Sequence, residues 1–270
     1  MTETPAQPEG MVEPEGLHDA RWVARASRVM SLQAAWHRLE VRGLDGVAPG
    51  AALLVGNHSG GANPVDGLFL IEWYRRRGMT DPVYVLAHEF FFKRLRLTSL
   101  LGRLGVIQAD PAEAARRLRS GAKVLVFPGG DTDSLRPWSA RREVRFVGRQ
   151  GFARLAMETG APVVPVVTAG AHESFVVLHQ GRGVADRLRV ARWLRYSSFP
   201  VTLALPWGLC VGPAAYLPYL PLPAKVTVEL GAPIDPAGHP DAASLAGEVE
   251  SVMGARLRDL YAERRWPVVG

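Results

Sequence analysis

The stretch "KVLVFPGGDTDSLRPWSARREVRFVGRQGFARLAMETGAPVVPV", residues 123–166, decides the fold. Its first six residues, "KVLVFP" (123–128), form a short apolar run of strand type. A Gly-Gly turn and an arginine-rich polar loop follow. "GRQGFARLAMETG" (148–160) then carries its apolar residues at helical spacing and closes on Gly160, and "APVVPVV" (161–167) is again a buried-type strand. A helix between two strands is the signature of a crossover joining parallel strands.

Outward from that unit the alternation continues. Strands are expected at 51–57, 82–87, 105–109 and 225–230. Helices are expected at 19–40, about 66–77, 90–103, 110–121 and 240–265. The helix at 66–77 runs into Arg75-Arg76-Arg77 and Gly78, and that at 110–121 has a proline in its first turn. The pattern predicts an α/β protein with a single mostly parallel sheet flanked by helices. No internal repeat is visible.

The 270 residues are 47% apolar, enough for a sizeable core. Residues 1–16, "MTETPAQPEGMVEPEG", are acidic and proline-rich and lack the basic-then-apolar order of a signal peptide. They read as a disordered lead-in to one domain over 17–270. One cysteine, Cys210, excludes a disulfide framework or a cysteine-rich zinc site and fits a reducing compartment. The formal charge is +6. A basic surface suits nucleic acid, anionic headgroups or phosphate-bearing substrates. No zinc-finger spacing or RNA-binding aromatic motif is present, which argues against nucleic acid, and the histidines show no metal-like spacing.

Between Arg195 and Lys225 there is no charged residue: "YSSFPVTLALPWGLCVGPAAYLPYLPLPA". Its length would span a bilayer. Six prolines, at 200, 206, 213, 218, 221 and 223, exclude a regular spanning helix. Two readings remain: an irregular segment buried under the sheet edge, or an interfacial loop that sets Trp207, Tyr216 and Tyr219 into lipid. The helix at 90–103, with Phe90, Phe91, Phe92, Lys93, Arg94 and Arg96, reads either as core-facing or as seated on an anionic membrane surface.

Two places carry residues suited to chemistry. In "LLVGNHSGGANPVDGLFL" (53–70) a strand ends at Asn57-His58, crosses a small-residue turn and re-enters a helix near Asp66. A histidine can take a proton from a hydroxyl, and a carboxylate can fix its tautomer. A structural histidine beside an N-capping Asp66 would read the same way. In the second place, the Gly129-Gly130 turn offers backbone N–H groups, and Arg136, Arg141, Arg142, Arg145 and Arg149 offer cations, a combination suited to a phosphate or an oxyanion. His172-Glu173 follows the next strand and is expected to line the same region.

Together these stretches resemble the phospholipid/glycerol acyltransferases, the PlsC-like superfamily. "GNHSGGANPVD" (56–66) is similar to its His-x4-Asp block, "VFPGGDTDS" (126–134) to its Phe-Pro-Glu-Gly block, and "APVVPV" (161–166) to its later apolar-proline block. The "FPGG" form and "RQGFARLAMETGAPVVPV" are more similar to the diacylglycerol acyltransferase-like and phytyl ester synthase-like branch. The resemblance covers residues 50–235. It implies a fatty acyl chain moved from an acyl thioester, acyl-CoA as co-substrate without further cofactor, to a lipid alcohol. It implies catalytic His58 and Asp66, and substrate or phosphate contacts from Asn63, Gly129, Gly130, Asp133, Arg142, Arg145 and Arg149. It also implies a cytoplasmic protein associated peripherally with membrane. The chain departs from the pattern in three ways. Asn63 occupies the usual acid position and Asp66 lies three residues further on, so either could orient His58. The block's glutamate is Gly129 here, with Asp133 as its possible stand-in. No arginine follows "GVIQAD" (105–110), so either Arg116 or Arg117 takes that place or no residue does. Two rivals share these residues: an acyl-CoA or lipid ester hydrolase, for which no Gly-x-Ser-x-Gly elbow occurs, and a catalytically decayed lipid-binding protein.

Overall fold

The computed structural model describes residues 18–59, 61, 63, 65–89, 92, 97–181, 183 and 198–270. The lead-in at 1–16 and most of the first half of the helix expected at 90–103 lie outside these residues. The later part of that helix is present as Thr98–Arg103.

Ten strands alternate with helices along the described chain. They are β1 (Glu40–Arg42), β2 (Ala52–Gly56), β3 (Val83–Ala87), β4 (Val106–Gln108), β5 (Lys123–Val126), β6 (Val163–Ala169), β7 (Val176–His179), β8 (Val201–Ala204), β9 (Gly208–Val211) and β10 (Thr227–Leu230). Seven form one sheet in the order β1-β10-β6-β2-β5-β3-β4, parallel at every pairing except β10 with β6. The helices are α1 (Ala20–Trp36), α2 (Phe69–Arg77), α3 (Thr98–Arg103), α4 (Pro111–Arg119), α5 (Gly130–Ser134), α6 (Gly151–Thr159) and α7 (Ala242–Ala262).

The central strand β2 is buried along its whole length, as a parallel strand covered on both faces must be. Leu53 and Val55 point into a core shared with α4, α6 and α7, while Ala52 and Leu54 point into a second core with α2. Local signals explain the helix ends. Asp110 accepts from the Glu113 N–H ahead of Pro111, and Gly160 closes α6 at φ +67°. Asp66 is not the N-cap of α2. It lies in a short 3-10 turn, Val65–Leu68, that leads into the helix, and its carboxylate is turned elsewhere.

The charge-free segment is neither an irregular buried stretch nor a plain loop. β8 and β9 pair as an antiparallel hairpin, and with β7 they make a separate three-stranded sheet, an addition to the single sheet expected. Among the described residues no helix is long and apolar enough to cross a membrane.

Candidate active site

Because β2, β5 and β6 are parallel neighbours, their carboxyl ends open on one edge of the sheet. That edge is where α/β sheets place their ligands. β2 leads to Asn57-His58, β5 to Phe127-Pro128-Gly129-Gly130, and β6 to Gly170 and His172. Buried Asn57 continues the ladder with its side chain: Nδ2 donates to the Thr168 carbonyl at 3.0 Å and Oδ1 accepts the Thr168 N–H at 2.8 Å. This clamp fixes the backbone one residue before His58. Gly56 is small because a Cβ there would stand 2.6 Å from the Phe127 ring, and that ring stacks on His58 at 4.9 Å between centroids.

The His58 side chain is about a quarter exposed, while Asp66 is buried. His58 Nδ1 donates to Asp66 Oδ2 at 2.8 Å, and the same oxygen accepts the Ser59 N–H at 2.7 Å. Ser59 Oγ donates to Asp66 Oδ1. With the proton held on Nδ1, the basic lone pair of a neutral imidazole is on Nε2. Asn63 takes no part in this. Its Oδ1 accepts from Gln33 Nε2 of α1 at 2.7 Å.

A second carboxylate supports His58 from the other side. Asp133, on α5, is buried, and its Oδ2 accepts the His58 backbone N–H at 2.6 Å. Arg136 NH2 lies 2.7 Å from Asp133 Oδ1 and 2.9 Å from His172 Nε2. Burial pushes the Asp133 carboxyl up to about 6 against the pull of Arg136. Burial, and then the Arg136 charge, hold His172 well below the usual imidazole range, so it is neutral. Gly129 is buried against this acid: a Cβ there would lie 2.3 Å from Asp133 Cβ. The carboxylate borne by residue 133 therefore occupies the space into which a side chain at 129 would project.

Arg149 comes to the Gly129-Gly130 turn, where its NH1 donates to the Pro128 carbonyl at 2.8 Å. Gly130 itself closes the turn, donating its N–H to the Phe127 carbonyl at 3.1 Å with φ at +51°. Arg142 and Arg145 have other partners. Arg142 sits over the Tyr261 ring at 5.6 Å, and Arg145 pairs with Glu143 at 2.6 Å in a groove along α7. Arg116 and Arg117 pair with Glu113 of their own helix. Glu173, expected to line the site, is buried and holds the C-terminal tail through Arg264 and the Val268 N–H. The sequence-predicted residues brought together are thus His58, Asp66, Gly129, Gly130, Asp133, Arg136, Arg149 and His172.

Asn57 carries no sequence signal as a site residue beyond its place beside His58. Arg136 read as one of five cations in a basic loop, and its burial beside Asp133 depends on α5, which the sequence does not announce.

Residues 38–169 match the family model described as Acyltransferase. An uncharacterized protein of Mycobacterium tuberculosis (strain ATCC 25618 / H37Rv) is 31% identical over 206 residues, 76% of this chain and 54% of the relative. A protein of Mus musculus named "DGAT1/2-independent enzyme synthesizing storage lipids" is 29% identical over 201 residues, 73% of this chain and 56% of the relative. The chain thus spans about half the length of the curated relatives it matches. Among solved structures, the 1-acyl-sn-glycerophosphate (LPA) acyltransferase PlsC from Thermotoga maritima superposes with a TM-score of 0.54 at 20% identity, covering 92% of this chain and 82% of that one. At that identity the match speaks for a shared fold.

Proposed function

The chain belongs to the acyltransferase family through its residues 38–169, and on that premise we propose that it is an O-acyltransferase moving a fatty acyl chain from acyl-CoA to the hydroxyl of a glycerolipid-type alcohol. The observation that carries the reading is the 2.8 Å contact of His58 Nδ1 with buried Asp66 at the open edge of the sheet, beside the Gly129-Gly130 turn and Arg149. His58 Nε2 takes the proton of the acceptor hydroxyl as the oxygen attacks the thioester carbonyl. The new C–O bond forms, the C–S bond breaks, and His58 returns the proton to the leaving thiolate, so no acyl-enzyme is needed. Asp66 holds the imidazole in the required tautomer and stabilises its charged form. Arg149 supplies positive charge where a phosphate or the developing oxyanion would lie. A glycerolipid acceptor accords with the mouse relative named as a storage-lipid-synthesizing enzyme.

Ser59 speaks against a hydrolase with a serine nucleophile, though not against one in which His58 activates water. The Ser59 hydroxyl donates to Asp66, so it is not paired with His58 as a nucleophile with its base. Asp66 reaches His58 despite the longer spacing, which supports the enzyme reading over that of a decayed one. The test is thiol release from palmitoyl-CoA with and without a mixed panel of lipid alcohols. Acceptor-dependent release should fall by about 10²–10⁴-fold in His58→Ala. Release without acceptor would favour the hydrolase. No release from either protein would favour the lipid-binding reading.

A further inference from the structure

An antiparallel sheet that covers a core on one side normally shows polar residues on the other. The β7-β8-β9 sheet does not. Its inner face buries Val177, Thr202, Ala204 and Cys210. Its outer face presents Leu203 and Leu209, cross-strand partners that are 50% and 63% exposed, with Val211 and Leu178 beside them and Trp207 at the hairpin tip. No acidic or basic residue occurs anywhere from 198 to 224.

This apolar face continues onto α1. Trp36 Nε1 donates to the Pro221 carbonyl at 2.9 Å, tying the end of the helix to the charge-free segment. Val29, Leu32 and Trp36 share one exposed side of α1, with Leu32 77% exposed. Arg21, Arg25 and Arg28 are exposed on the N-terminal half of the same side, ending at Arg28 next to Val29, and α1 contains no acid. A contiguous apolar surface of this kind marks an interaction site. Cations along its edge complement an anionic partner, and a tryptophan at the tip suits the boundary between headgroups and acyl chains.

We infer that the outer face of the β7-β8-β9 sheet, together with the exposed side of α1, is the surface by which this protein docks onto an anionic phospholipid bilayer. A second copy of the chain fits less well, because pairing these faces would bring two uncompensated arginine rows into one interface. The surface stands on its own geometry; its purpose rests on the acyl-transfer reading. Beneath it, Phe175 stacks on Tyr219 at 4.4 Å, and the Phe175 ring lies where a Cβ on Gly61 would be 2.9 Å away, while Gln33 of α1 bonds Asn63. The docking face is therefore the outer wall of the turn that carries His58 and Asp66, and a lipid acceptor would reach the base without crossing water.

The test is flotation of the full chain, without substrate, with vesicles of 70:30 phosphatidylcholine:phosphatidylglycerol and of phosphatidylcholine alone. Wild type should float with the anionic vesicles. Leu203→Ser/Leu209→Ser should lower the bound fraction by more than about tenfold, with its unfolding midpoint compared to wild type. Trp207→Ser serves as the milder variant should the pair not fold. Arg21→Ser/Arg25→Ser/Arg28→Ser should abolish the preference for anionic vesicles. The inference is overturned by wild type that floats with neither vesicle, by folded variants that float like wild type, or by a wild-type dimer that the serine pair converts to monomer. Flotation with no thiol release would sink the acyl-transfer reading alone.

Discussion

Asp66 holds three hydrogens at once, from His58 Nδ1, the Ser59 N–H and Ser59 Oγ, and only a carboxylate can accept all three. An amide in its place would have one oxygen to accept with, and its NH₂ group would face either Ser59 or His58. Facing His58, it would require a lone pair on Nδ1 and so move the proton to Nε2, removing the base. Asp66→Asn should therefore cut kcat by about 10²–10⁴-fold with KM for acyl-CoA little changed. Steady-state kinetics on the folded variant checks this, and a loss of under tenfold would take the orienting role away from Asp66. His58 was legible in the sequence because a strand ran into it and glycines followed. The choice between Asp66 and Asn63 was not. It is decided by Gln33, thirty positions before Asn63 on α1, and by a turn whose path no local pattern encodes. The grip of Asp133 on the His58 N–H spans 75 positions and is likewise a product of the fold.

Among the elements, one close approach bears directly on the site, where β5 hands over to α5. Gly129 there is a steric requirement rather than a conformational one: a methyl group would meet Asp133 Cβ at 2.3 Å, a buried atom with little room to give. Gly129→Ala should destabilise the protein by about 1–3 kcal/mol, as overpacking does, and should loosen the Asp133 contact with His58. A urea unfolding curve with an unchanged midpoint would refute it. The same hand-over shows why some elements were readable and others not. β2, β5 and β6 announce themselves as apolar runs bounded by turns, and α4, α6 and α7 by helical spacing and caps. α5 is five residues long, "GDTDS", with no apolar period, and it read as loop. β1 is three residues long and its partner β10 lies at the far end of the chain. The β8–β9 hairpin was hidden by its composition. Its outer face is apolar, so the polar alternation that would have marked it as a surface strand pair is absent, and prolines flank and interrupt it.

Across the whole molecule the response to acid is set by buried His37, His172 and Asp133 together with half-buried His18. His37 donates Nδ1–H to the Ala224 carbonyl at 3.0 Å and so joins α1 to the end of the charge-free segment. His18 packs against Tyr74 with Nε2 2.7 Å from the phenol oxygen, and His172 lies beside Arg136 at the site. Burial is the largest cause lowering all three below the usual imidazole value. The folded protein therefore keeps them neutral while the unfolded chain protonates near its ordinary 6.5. Their contribution is fully favourable above that pH and is lost as the pH falls, because the unfolded state then binds more protons. Asp133 acts with the opposite sign. Burial raises it from 3.8 to about 6, so the folded state binds the extra proton and gains relative stability as the pH falls through that window. Three groups oppose one, and they act first on leaving neutral pH. The Tm should be level above about pH 7.5 and decline from there to pH 5, with the decline made shallower by His37→Gln and steeper by Asp133→Asn. Thermal unfolding followed by circular dichroism across pH 5–8 reads this directly. A Tm that rose on acidification would mean that the carboxylate, and not the buried imidazoles, dominates the balance.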